Sequence, residues 1–478
     1  MKFLRPALLG LTCLLAAPTF AANNLPSLGD ASSGIVSPEQ EFQMGRAWLS
    51  MLRGQVSTLS DPLLKQYVES SVYKLAENSQ VQDHRLVFIL LKDPQINAFA
   101  APGGVIGVNG GLFLYAQKED EYAGVLAHEL AHLSQRHFAR GVENQQRMQL
   151  PLMAAMLAGI VAAAAGGGDA GIAAIASTQA AAIQSQLRFS RQNEQEADRI
   201  GILTLAKAGY DPRGMPEMFS RLAKQYRYDQ KPPEFLLTHP VTEDRIADTR
   251  NRAEQYPAGG LDDSLTYQLM RARVQLMFEE TPGIAVKRFR AMLNENPKLD
   301  AARYGLALGL TRLGQLNEAR DLLKPLLTAS PHNIAYNLAQ VELDITNNRL
   351  QDAEQRTLKM LEIYPDDFAV NMAQADLLVK LNKPKEASAL LEKIAHNRPL
   401  DPDVWYRVAE TRGQAGELIG VHQARAEYFA LTGDYDQAIQ QLSFAKQRAA
   451  TNFQLAARID ARQQEFISQK RAAEQLLK

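Results

Sequence analysis

Apolar positions along this chain recur mostly three or four residues apart, the period of a helix with one buried face, and only one stretch departs from it. Ser37-Pro38-Glu39 has a capping residue followed by proline, so a helix is expected to start there and run amphipathically through Leu52. Asp61-Pro62 opens a second helix, carrying Leu64, Val68, Val72 and Leu75. The period then changes. Arg85 to Leu91 (R-L-V-F-I-L-L) is short, branched and bounded by Asp93-Pro94, which predicts a strand. Asn97 to Val108 reads as two short strands around a tight turn at Pro102-Gly103-Gly104. Helix resumes from Leu112, with Glu119, Asp120 and Glu121 suited by charge to the N-terminus of the helix that holds Val125 to Leu133. A further helix spans Leu187 to Ala206, capped near Ser190 and ended by Gly209-Tyr210-Asp211-Pro212. Another runs to about Tyr226, and a last one, carrying Arg245 and Ile246, follows Thr238-His239-Pro240.

Tyr256-Pro257-Ala258-Gly259-Gly260 reads as a linker, and beyond it the pattern repeats every 34 residues. Pro297, Pro331, Pro365 and Pro399 keep that step, as do Ala285, Ala319, Ala353 and Ala387. So do Gly314, Asn348, Asn382 and Gly416, and Gly305, Ala339 and Ala373. This is the tetratricopeptide signature: paired helices, small residues where they cross, proline in the connecting turn. Gly433-Asp434-Tyr435 comes half a period after Gly416, so about four regular repeats and an irregular C-terminal end are expected. Such stacks offer concave surfaces for peptides or partner proteins and carry no chemistry of their own.

Composition adds constraints. With 478 residues the chain suits two or three domains, and 46% hydrophobic with 22% charged residues describes a globular protein with a substantial core. A formal charge of -1 gives no electrostatic basis for binding nucleic acid or an anionic membrane. At the N-terminus, Lys2 and Arg5 precede an apolar run from Ala7 to Ala17, and Thr19-Phe20-Ala21 fits a cleavage site. Residues 1–21 are therefore expected to be a secretory signal peptide, with a loosely ordered leader over 22–36. The sole cysteine, Cys13, lies inside the signal, so the mature chain can have neither disulfides nor cysteine chemistry, and a periplasmic location is expected. Met148 to Ile183 is rich in Ala and Gly. Its first apolar arm is shorter than the roughly 20 residues a spanning helix needs, which favours a helical hairpin or lid near the active site. No transmembrane segment is expected in the mature chain.

The candidate chemistry sits in V-L-A-H-E-L-A-H-L. His128 and His132, four apart on a helix, share a face and can reach one metal ion, while Glu129 can touch a water beside it. A third histidine at metzincin spacing is excluded, because positions 135 and 138 are Gln and Phe. His137 falls off the metal face and is read as structural. The best remaining ligand is a carboxylate on a second helix. Glu194 suits, since Asp198 one turn later can hydrogen-bond a ligating imidazole; Glu196 is the alternative. The strand hairpin beside such a helix is either an ordinary small sheet or an edge that holds an extended substrate.

H-E-x-x-H followed by N-E-Q-E-A-D, with G-G-V-I-G-V-N-G-G-L upstream and T-H-P downstream, resembles the zinc metallopeptidases related to the CAAX prenyl proteases and HtpX, over about Ser37 to Ala253. The resemblance implies an α+β zincin-type domain with a small β-sheet, here 22–256, joined by a linker at 257–262 to an all-α tetratricopeptide-repeat solenoid over 263–478, the whole mainly α. It further implies one Zn²⁺ per chain held by His128, His132 and Glu194, with Asp198 supporting a ligand and Glu129 as catalytic base. His239 is implied near the metal, assisting the oxyanion or competing with water for the open position, and Arg245 steadying that region. The membrane members of the family have spanning helices where this chain has its Ala-rich stretch. A signal peptide and repeats together resemble a periplasmic branch of the family in Gram-negative bacteria. That branch implies degradation of unfolded or misassembled outer-membrane proteins, support of barrel assembly, and contact of the repeats with the barrel-assembly machinery. The alternative is a chaperone or scaffold acting chiefly through the repeats, with latent proteolysis. If the two units separate at the linker, deleting 262–478 should leave cleavage of a generic peptide intact.

Overall fold

A computed structural model describes residues 36–144, 191–227, 232–260 and 264–476. The expected signal peptide, nearly all of the leader, and the Ala-rich stretch from Met148 to Ile183 lie outside the described residues, as does Ser190. No helix among the described residues is long and apolar enough to cross a membrane.

The N-terminal half is helical around three strands. Helix α1 (Pro38–Gln55) is capped by Ser37, whose hydroxyl accepts from the Gln40 N–H while the Gln40 side chain accepts from the Ser37 N–H. Helix α2 (Pro62–Glu77) is capped by Asp61. Strands β1 (Val87–Leu91), β2 (Ala98–Ala101) and β3 (Val105–Asn109) form one sheet in the order β1-β3-β2, β1 parallel and β2 antiparallel to β3. Gly103 and Gly104 both take positive φ at the hairpin tip, and a Cβ on Gly103 would collide with the backbone of α1. The tip therefore docks directly on α1. After α3 (Gly110–Tyr115) comes the H-E-x-x-H helix, α4 (Glu119–Ser134), buried from its first residue to His132. The three acids at its start each make a separate tie. Glu119 accepts from the Tyr67 hydroxyl at 2.6 Å and Asp120 from the Asp211 N–H at 2.9 Å, while Glu121 accepts from the Gln117 N–H and pairs with Arg221. Helices α5 (His137–Asn144), α6 (Arg191–Lys207), α7 (Gly214–Gln225), α8 (Glu234–Thr238) and α9 (Glu243–Ala253) complete this half.

The C-terminal half is a run of helix pairs. Second helices begin at Pro282, Leu316, Leu350, Pro384 and Leu418, each 34 residues after the last. Gly314, Asn348, Asn382 and Gly416 all have φ between 57° and 78°, the left-handed turn inside each pair, which explains why only Gly or Asn occurs there. Ala285, Ala319, Ala353 and Ala387 are all buried where helices cross. The pairing continues beyond Gly416, through Tyr435–Arg448 and Phe453–Leu476, so the C-terminal end is more regular than the spacing suggests. Gly416 lies inside a pair and Gly433 between pairs, hence the half-period between them.

The two halves share a core. One apolar cluster runs unbroken from Leu64 and Val68 through Phe113, Tyr122 and Leu126 to Tyr267, Phe289, Tyr304 and Leu343. Tyr267, on the first helix after the linker, stacks on Phe113 and donates to the Ala116 carbonyl. Helix α2 turns its polar side to the repeats: Lys65 meets Asp401 at 2.8 Å and Asp403 at 3.0 Å, Gln66 donates to Asp367, and Glu69 takes both ends of the Arg398 guanidinium. The linker is itself held, with Arg213 donating to the Tyr256 and Pro257 carbonyls. Deleting the repeats would thus expose part of this core.

Candidate metal centre

Four side chains from two helices and the cap of a third converge behind β2. His128 and His132 come from α4, Glu194 from α6, and His239 from the C-cap of α8, where Pro240 stops the helix. One ligand atom of each lies within 4.8 Å of every other, and all four residues are buried. The closest approach is His128 Nε2 to His132 Nε2 at 3.0 Å. His239 Nδ1 stands 3.3 Å from His128 Nε2 and 3.2 Å from Glu194 Oε1, which is 3.3 Å from His132 Nε2. A tetrahedral ion with bonds of 2.0–2.1 Å places its ligand atoms about 3.3 Å apart. The four groups are spaced as the ligands of a zinc-type site would be.

Close helix packing makes this possible. A Cβ at Gly201 would come within 3.2 Å of the His128 backbone nitrogen, so the glycine lets α6 approach α4 closely. Asp198, one turn beyond Glu194, then places Oδ1 2.9 Å from His128 Nδ1. Arg245 donates to both Asp198 oxygens at 2.7 and 2.8 Å, lies 2.8 Å from Glu194, and reaches the Pro240 carbonyl. A single guanidinium thereby fixes both acids and the segment carrying His239.

His137 and Glu196 fall outside the four-residue cluster but support it. His137 Nδ1 lies 2.8 Å from His132 Nδ1, and its other nitrogen lies 3.2 Å from Glu196, which Arg140 also holds. Helical spacing concealed this. The helix ends at Ser134 and Arg136 takes φ 50°, so the chain folds back and returns His137 to the rear of His132. A carboxylate–histidine–histidine relay behind a ligand is a contact that spacing along one helix does not reveal.

The site is rich in buried charge: Glu129, Glu194 and Asp198 are all buried, and Arg245 pairs with the last two. Burial opposes charge on His128, yet the adjoining Asp198 and Glu194 outweigh it and hold the imidazole at about 9. Burial dominates at His132 and keeps it well below the ordinary histidine value, hence neutral and able to ligate. Burial pushes Glu194 upward, but the three imidazoles around it leave it well below the usual carboxylate range. Glu129 is raised, chiefly by burial. Its Oε2 accepts the Ala100 N–H at 3.1 Å, and its Oε1 lies 3.4 Å from His239 Nε2.

The cleft beside this centre has a volume of about 140 Å³ and an apolar wall of Trp48, Phe99, Leu133 and Phe138. Strand β2 forms its edge. The Asn109 N–H donates to the Asn97 carbonyl, so 97, 99 and 101 bond toward β3 while the backbone of Ala98 and Ala100 points away from it, and Ala100 lines the cleft.

A buried His/Glu cage on an H-E-x-x-H helix, facing a strand edge, defines a metallopeptidase. Comparison with known proteins agrees: the model of peptidase family M48 matches residues 62–253, and a tetratricopeptide repeat model matches 310–377 and 344–410. The β-barrel assembly-enhancing protease of Escherichia coli (strain K12) is 36% identical over 453 residues, covering 93% of this chain and 92% of that protein. A Vibrio cholerae counterpart is 37% identical over 98% of this chain and 99% of its own length. The mitochondrial metalloendopeptidase OMA1 of Schizosaccharomyces pombe is 29% identical over 197 residues, 40% of this chain and 55% of that one. This chain belongs to the β-barrel assembly-enhancing protease family, with an M48 catalytic domain and tetratricopeptide repeats.

Proposed function

We propose that this protein is a periplasmic zinc endopeptidase that degrades misassembled outer-membrane proteins and supports barrel assembly, with its repeats docking to the barrel-assembly machinery. The observation that carries the peptidase reading is the buried cage of His128, His132, Glu194 and His239 with Glu129 at its rim. In it His128, His132 and Glu194 would hold the ion. A bound zinc ion supplies Lewis acidity, activating water and polarising the scissile carbonyl. Substrate main chain pairs along β2 at Ala100, laying an apolar side chain in the Trp48–Phe99 pocket. Pairing there competes for the Ala100 N–H and frees Glu129 to take the proton of the attacking water and return it to the leaving amine. Asp198 orients His128, and Arg245 holds Asp198. Replacing Asp198 with Ala should weaken zinc binding about 10- to 100-fold, measured by chelator competition.

His239 supports a regulated reading. Its Nδ1 lies 3.3 Å from His128 Nε2 and 3.2 Å from Glu194 Oε1, so it would compete with water for the open position of a bound ion and keep the resting site latent. An H239A chain should cut an unfolded protein several-fold faster at rest than the parent. An unchanged basal rate would refute the plug, and a lost rate would instead assign His239 to the oxyanion. The same closure favours the second reading, in which a chaperone role through the repeats is the resting function.

A further inference from the structure

The repeats enclose a cavity of about 650 Å³, within the 300–1,000 Å³ typical of ligand sites. It is built by the helices Leu316–Ala329, Ile334–Thr346 and Leu350–Ile363, and no residue of the catalytic half lines it. Elsewhere on the repeats, cations are matched with acids: Arg290 with Glu318, Arg303 with Asp300, Lys383 with Glu354, Arg407 with Asp376, Arg462 with Glu427. Inside this cavity the matching fails. Arg320 and Arg356 bond only to the neutral side chains of Asn317 and Asn337, and Lys324 and Lys359 have no carboxylate partner among the described residues. The Nε atoms of both arginines are buried without an acceptor. Arg349 is already neutralised by Asp352, so the lone acid against four cations is Asp344, 3% exposed, whose Oδ1 is buried without a donor.

We propose that this cavity binds an extended, acidic segment of a partner or substrate protein. Its carboxylates take Arg320, Arg356, Lys324 and Lys359, in the manner of charge-assisted recognition by clustered arginines. Asp344 distinguishes a peptide from other polyanions. A buried acceptor requires a donor, which a main-chain N–H provides and a phosphodiester does not. Leu327 and Ile363 on the rim accept an apolar side chain next to the acids. The site is independent of the metal centre, so it stands whether or not the peptidase mechanism does.

The test uses the full chain and a fluorescein-labelled twelve-residue peptide of alternating Glu and Leu, with Gln replacing Glu in a control. Fluorescence anisotropy is read at low temperature, and mass spectrometry checks that the probe stays intact. The acidic peptide should bind at least tenfold more tightly than the control. Both the K324E/K359E and the milder K324Q/K359Q chains should lose at least tenfold, while peptidase rates on a generic substrate stay unchanged. Both lysines are exposed, so neither pair of substitutions disturbs packing. Equal binding of the Gln peptide, or binding indifferent to both double variants, overturns the proposal. So does capture of the chain on phosphatidylglycerol vesicles through the same two lysines when the peptide does not bind.

Discussion

An E129Q chain should bind zinc as the parent does and hydrolyse an unfolded protein at about 10²- to 10⁴-fold lower kcat. The amide keeps the shape of Glu129 and can still meet the Ala100 N–H through its oxygen, but it cannot accept a proton from water. Zinc content by atomic absorption and kcat on a denatured substrate separate the two roles. Loss of zinc together with activity would make Glu129 structural, and a full rate would remove it from the mechanism. Burial raises the Glu129 carboxyl in the chain alone, and a cation beside it would act in the opposite direction, favouring the ionised, basic form.

The second large effect is expected at the junction of the halves. Lys65 is 14% exposed and lies against Asp401, itself 8% exposed. In K65A the Asp401 carboxylate stays buried and loses its closest cation, with Arg398 left at 3.9 Å, which should cost about 3 kcal/mol of stability, read as a lower urea midpoint. A change below about 0.5 kcal/mol would place the pair in the class of surface ion pairs instead. The pH dependence follows from the two directions. At Asp401 burial acts upward, but Lys65 overrides it and the carboxyl lies below its ordinary 3.8, so its contribution is present above that value and vanishes as pH falls through the depressed pKa. At Lys65 burial acts downward, but Asp401 and Asp403 raise it above 10.5, so its contribution holds below 10.5 and vanishes as pH rises through the raised value. Between those limits the junction should be insensitive to pH.

Local periodicity made most of the architecture legible. The helix caps at Ser37 and Asp61, the three strands and the hairpin all follow from residues a few positions apart. The 34-residue step located the turns of the repeats because Gly and Asn mark a left-handed backbone. Glu194 and Asp198 could be paired from their four-residue spacing, and the structure brings both to His128. What escaped sequence reasoning depends on distant contacts or on a break in the helix. His137 reaches His132 only because the chain reverses at Arg136. Glu196 meets His137 and Arg140 instead of the cage. Nothing local in Lys65, Gln66 and Glu69 says that they face residues some 300 positions later.

That last feature sets an order of events. Helix α2 presents an apolar side to the catalytic core and a polar side to the repeats, and Tyr67 on it hydrogen-bonds Glu119 at the start of α4. The aromatic cluster of Tyr67, Phe113 and Tyr122 is closed by Tyr267, from beyond the linker. A chain made from its N-terminus has every catalytic side chain before it has Tyr267, Arg398 or Asp401. The nascent peptidase is therefore an unfinished object, and the repeats act as its final clamp: a chain cut short in synthesis lacks the piece that sets the active-site helix.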